Sequence, residues 1–144
     1  MVNENLLAAK WTELGERLAQ VRKHRKPTVA ALESDRDATE LVAFNLMLAI
    51  QACADVANHL IADEGWAAPR TTAEAFARLA EHGVIRAQLA AALKLAVGFR
   101  NIIVHGYSGV DLRPLHRAST EGVDDLDAFA RAVTQWASAL PPSS

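Results

Sequence analysis

Eight consecutive residues, Arg100 to Tyr107 (RNIIVHGY), hold a fixed cation, an amide, a titratable imidazole and a phenol. An arginine grips a phosphate with a planar, two-pronged fork, and a histidine moves protons near neutral pH. Together they suit phosphodiester chemistry without a metal ion. Ile102, Ile103 and Val104 lie between them and would anchor the segment in a core. A second pair, Asp55 and His59, stands four residues apart, on one face of a helix. It would pair internally, form the wall of a cleft, or contribute two ligands to a metal, and two ligands do not make a metal site. A basic run from Arg22 to Lys26 reads as a solvated helix end or as a contact to an RNA backbone.

Helices must position these groups, because apolar residues recur at spacings of three and four almost throughout. The first is expected from about Asn5 to Lys23, with Leu7, Trp11, Leu14, Leu18 and Val21 on one stripe. Ser34 and Asp37 suggest the cap of a long second helix that runs to about Ala62, ended by Asp63, Glu64 and Gly65. Thr71 with Glu74 fits a capping box for a short third helix stopping at Gly83. A fourth is expected from about Ile85 to His105, facing Leu89, Leu93, Ala96 and Val97 inward. Val110 to Glu121, containing Pro114, reads as irregular or as one helical turn, and a last helix spans Val123 to Leu140. The fold class that follows is all-α: an up-and-down four-helix bundle with an additional short helix. One domain over residues 1–140 and a frayed tail over 141–144 are expected.

Composition narrows the function. At 144 residues, 51% hydrophobic and 22% charged, the chain can bury a sizeable core. Its longest wholly apolar stretch, Leu46 to Ile50, is far below the roughly 20 residues of a membrane span, and MVNENLLAAK lacks a basic start followed by an apolar block. A cytoplasmic protein without membrane attachment is therefore expected. Cys53 is the only cysteine, which excludes an internal disulfide and a cysteine-based zinc cluster and suits a small core residue. A net charge of −2 argues against a general nucleic-acid coat but permits a local basic cleft, whose rim His116, Arg113 and Arg117 would extend. Trp11, Trp66 and Trp136 read as core or interface anchors.

Helical geometry complicates the opening motif. At about 100° per residue, Asn101 and His105 are about 40° apart and share a face, so Asn101 can orient the imidazole. Arg100 and His105 differ by about 140° on a straight helix. Either the helix loosens at Gly106, or the arginine curls around, or a second subunit completes the site. A two-fold homodimer would set two copies of the motif across one cleft.

RNIIVHGY resembles the R-N-x-x-x-H-x-Y form of the signature of HEPN-domain ribonucleases, and its tyrosine points to the HepT-like toxins. QACADVANHLI, Gln51 to Ile61, is similar to a helix of the same family, as are APRTTAEAFARLAEHGVI and GFRN. The resemblance covers roughly Phe44 to Asp111, and the ends only through helix pattern. It implies a metal-independent endoribonuclease with no cofactor, acting on RNA as the toxin of a type VII-like toxin–antitoxin pair. The implied partner is a minimal nucleotidyltransferase antitoxin that silences the toxin by attaching AMP to a tyrosine. Carried onto this chain, Arg100 would stabilise the phosphate and transition state, His105 would be the general acid or base, and Asn101 the orienting group. Tyr107 would be the modified residue. The same residues would alternatively serve a non-catalytic subunit that holds a nucleotide or docks the nucleotidyltransferase.

Overall fold

A computed structural model describes residues 3–98 and 111–140, and every regular element among them is helical. Seven α-helices follow in order: α1 (Glu4–His24), α2 (Val29–Glu33), α3 (Arg36–Asp63), α4 (Thr72–Glu81), α5 (Ala87–Gly98), α6 (Arg113–Arg117) and α7 (Val123–Ser138). A π-helical turn, Ala118–Gly122, joins the last two. The all-α expectation holds, and the long helices lie where periodicity puts them.

The central element is α3. Fifteen of its 28 residues are buried, and α1, α2, α4, the π turn and α7 all contact it. Its mean hydropathy of 1.5 over 18 residues would suffice for a membrane span, yet 61% of that window is buried within the bundle. The apolar content of α3 is thus accounted for by the core. Helix α1 runs antiparallel to it, since Lys10 meets Asp55 while Arg17 meets Asn45. Phe129 of α7 stacks edge-on against Trp11 of α1 (6.1 Å between centroids) and against Phe76 of α4 (5.3 Å). Trp66, in the α3–α4 connection, lies edge-on to Trp136 and flat against His82. The three tryptophans are half-buried and packed against the core, in keeping with their reading as anchors. Cys53 is fully buried, and desolvation, with the charge of Asp127, pushes its thiol pKa well up.

Caps explain where the helices begin and stop. The Thr71 hydroxyl accepts from the Glu74 amide at 3.0 Å, which is one half of a capping box, while the Glu74 carboxylate accepts from Arg78 Nη2 at 3.0 Å. At the other end Gly83 takes a left-handed φ of +77°, letting Val84 N–H reach back to the Leu79 carbonyl. Gly65 ends α3 in the same way, with φ +72° and a Trp66 N–H to Ile61 carbonyl bond.

Two expectations need correction. Ser34 does not cap α3: the short helix α2, capped by Thr28, ends there, and the Ser34 hydroxyl donates to the Ala31 carbonyl instead. Asp35 takes the capping role by accepting from Ala38 N–H at 3.0 Å, and Lys26 lies 3.2 Å from the same carboxylate. The amide of Ala38 and then Lys26 hold the Asp35 carboxyl below the usual carboxylate range. The second correction concerns Val110–Glu121, which is helical from Arg113 onward and runs through the π turn into α7. Pro114 sits in the first turn, where its missing N–H would have no helical partner. The expected extension of the fourth helix beyond Gly98 to His105, and the 141–144 tail, lie outside the described residues.

Removing the cap with Thr71→Ala is expected to lower unfolding stability by about 1 kcal/mol. Phe129→Ala, which empties the junction of three helices, should cost about 3–5 kcal/mol, both measured by urea titration. A thiol reagent should label Cys53 only after denaturation.

Candidate functional site

Arg100, Asn101, His105 and Tyr107 lie outside the described residues, and so does the expected loosening at Gly106. What the structure describes are the two ends from which that segment departs, Gly98 and Asp111, and the packing of α5 against α6, the π turn and α7.

On α3, Asp55 and His59 do not pair. Asp55 accepts from Lys10 Nζ at 2.8 Å through one oxygen and from Gln51 Nε2 at 2.9 Å through the other. The hydrogen bond that Lys10 donates to Asp55 raises the pKa of Lys10; desolvation opposes it, and the charges of Asp55 and Glu13 add to it. With side chains 23% and 39% exposed, this is a partly screened pair that ties α1 to α3. His59 is half-buried, and its Nε2 is shielded from solvent without a hydrogen-bond partner among the described residues. Among those residues no group of three or more His, Cys, Asp or Glu side chains is placed to hold a metal ion.

The basic run at the end of α1 is largely engaged with its own chain. Arg22 pairs with Asp127, Lys26 with Asp35, and Arg25 Nη1 donates to the Ser119 carbonyl at 3.3 Å. This favours the helix-end reading over an RNA contact for those three side chains. His116 does not join a basic rim either, because its Nε2 lies 3.1 Å from the Lys26 carbonyl. Arg113 grips both oxygens of Asp111 at 2.9–3.1 Å, and Arg117 Nε meets Glu121 at 3.0 Å. The side-chain and then backbone hydrogen bonds from Arg113 hold the Asp111 carboxyl below its ordinary range.

The π turn has a local cause. Ser119 and Thr120 direct their hydroxyls at the His116 carbonyl, at 2.6 and 3.2 Å, and Thr120 also reaches that of Arg117. Such side chains compete with the backbone amide for the carbonyl one turn back, and a widened turn relieves the competition. Arg25 supplies a donor to the displaced Ser119 carbonyl. Between the widened turn and α5 lies a cavity of about 390 Å³, open to solvent on one side and lined by Leu95, Ala96, Pro114, Ala118 and Gly122. Its rim carries Asp111, Arg113, Arg117, Glu121 and Asp125. Arg113, Arg117, Glu121 and Asp125 follow at intervals of four, a signal visible only once the stretch is read as helical.

A family model described as ribonuclease HepT-like matches residues 14–133. The chain belongs to that family. A curated relative, the mRNA nuclease HepT of Shewanella oneidensis, is 32% identical over 88 residues, which is 61% of this chain and 66% of the relative. Its alignment with this chain thus spans just under two thirds of its length. Among solved structures, the tri-AMPylated Shewanella oneidensis HEPN toxin in complex with MNT antitoxin has a TM-score of 0.82 at 23% identity, covering 93% of this chain and 99% of that one. A toxin–antitoxin crystal structure with AMP-PNP has a TM-score of 0.81 at 23% identity, with 92% and 99% covered. These structures share the fold. In this HepT-like chain the motif is thus flanked by a bundle of the HEPN toxin type.

A double-mutant cycle on Lys10→Met and Asp55→Asn should give a coupling below about 1 kcal/mol. Because the partner raises the folded-state pKa of Lys10 above its unfolded value near 10.4, the coupling is present below that pH. It is lost as pH rises through the folded value, as unfolding titrations at pH 8 and pH 11.5 will show.

Proposed function

We propose that this chain is a metal-independent endoribonuclease and the toxin of a toxin–antitoxin pair, silenced by AMPylation of Tyr107 by a nucleotidyltransferase antitoxin. The family match carries the reading: residues 14–133 take in Arg100, Asn101, His105 and Tyr107 together with the helices on both sides. The nuclease name of the curated relative and the AMPylated, antitoxin-bound state of the similar toxin support it.

RNA carries its own nucleophile, so the protein has only to move protons and stabilise charge. The 2′-hydroxyl loses its proton to a base and attacks the adjacent phosphorus, the bond from phosphorus to the 5′ oxygen breaks, and that oxygen takes up a proton. A 2′,3′-cyclic phosphate and a 5′-hydroxyl result. His105 serves one of the proton transfers, Asn101 orients its ring, and Arg100 neutralises charge on the pentacovalent phosphorus. In a homodimer the second copy of the motif supplies the other transfer and doubles the positive charge on the phosphate. Asp55 and His59 form a wall of the cleft. AMP on Tyr107 adds a bulky anion two residues from His105, blocking the cleft and opposing its cations.

Cleavage of RNA by unmodified protein is expected to persist in EDTA, to leave a 2′,3′-cyclic phosphate, and to fall about 10²–10⁴-fold in His105→Ala. RNA left intact by unmodified dimer at pH 7 would remove the enzyme reading and leave the docking subunit. Incubated with the antitoxin and ATP, the protein should gain mass in whole AMP units at Tyr107. Tyr107→Phe should gain none there and remain unsilenced; a mass gain mapped elsewhere refutes the assignment of that residue.

A further inference from the structure

We propose that the cavity between α5 and the π turn is a nucleobase pocket, selective for bases that carry an exocyclic amino group. The inference rests on the ribonuclease reading and deepens it. The cavity volume of about 390 Å³ falls within the range of about 300–1,000 Å³ of small-ligand sites. Its floor is made of small side chains, Ala96, Ala118 and Gly122, and a Cβ on Gly122 would already stand 3.4 Å from that of Ala118. Such a floor accepts a flat ligand. Leu95, a wall of the cavity, is 63% exposed and offers apolar area to one.

The charges at the rim select what enters. Asp111 with Arg113 and Glu121 with Arg117 form two mutually neutralising pairs, leaving Asp125 as the carboxylate with no ion-pair partner among the described residues. Among the described residues the rim carries a surplus of one negative charge, which disfavours a phosphate there and favours a hydrogen-bond donor directed at Asp125. Desolvation and then the neighbouring Glu121 and Asp124 raise the Asp125 carboxyl above its usual pKa, with Arg117 opposing, so it gains by meeting a donor. Carboxylates accept from the exocyclic amine of a base, and guanidinium planes stack on base faces. Arg113 and Arg117, whose side chains are 79% and 63% exposed, hold their carboxylates edge-on and leave those planes available.

Position links the pocket to the motif. Along the chain Asp111 is four residues beyond Tyr107, and Ala96 is four residues before Arg100. A base of a bound RNA strand and the base of a mononucleotide are the two sources of this chemistry within reach.

The test uses labelled 2′-O-methyl RNA trimers, which bind without offering the attacking hydroxyl, and fluorescence anisotropy on the full chain, so that failure of cleavage does not bear on the result. Trimers with a central A, C or G should bind about tenfold more tightly than those with U. Asp125→Ala should abolish that preference, and Leu95→Ser should weaken all trimers, with melting temperatures verifying the fold of each. Tighter binding of A trimers than of 5′-AMP identifies the strand as the source; equal binding identifies the mononucleotide. Retention of the full base preference in Asp125→Ala overturns the proposal. Displacement of trimers by an arginine-rich peptide in wild type but not in Asp125→Ala also overturns it, in favour of a basic protein segment.

Discussion

Burial of α3 is the constraint on which the rest of this structure depends. A 28-residue helix buried over most of its apolar length has to be surrounded, and α1, α4 and α7 are the elements that surround it. Small residues make close approach feasible: Ala43, Ala49, Ala52, Cys53, Ala54 and Ala57 present little more than backbone to their neighbours. Large side chains then fill the joints between the outer helices, with Phe129 reaching both Trp11 and Phe76. Two buried polar side chains on α3 find partners. Thr39 donates to the Leu32 carbonyl, and Asn45 bridges the Leu41 carbonyl and Arg17.

Most ion pairs among the described residues span four positions or fewer, but a few join separate elements. The basic end of α1 holds the start of α3 through Lys26 and Asp35, the π turn through Arg25, and α7 through Arg22 and Asp127. Individually such exposed pairs contribute little to stability, but together they orient one corner of the bundle. The same corner carries the π turn, where two hydroxyls and an arginine take over backbone hydrogen bonding. The cavity beside α5 is lined on one side by that turn, through Ala118, Glu121 and Gly122.

Similarity to toxins at 23% identity with TM-scores above 0.8 follows from the same physics. A helical bundle needs apolar residues at the right period and roughly the right volume, not particular side chains. Family membership rests on a different kind of information, the match over residues 14–133, and the chemistry proposed for Arg100 and His105 depends on that match and on the residue types themselves.

Sequence by itself determined the helical class, the stripes of α1, α3 and α5, the Thr71 cap and the glycine stops, because these depend on residues within one or two turns of each other. It also carried the family, through RNIIVHGY and its companion segments. Tertiary structure decided which partner each polar group takes. Asp55 turned to Lys10, 45 residues away, rather than to His59 one turn along, and His116 turned to the Lys26 carbonyl rather than to a basic rim. Asp35 rather than Ser34 caps α3 because α2 ends at Ser34, whose hydroxyl is directed at the Ala31 carbonyl. Helical periodicity is a short-range property and can be read along the chain. Hydrogen-bond partners are chosen among all groups that packing brings within about 3 Å, and that choice exists only once the helices are assembled.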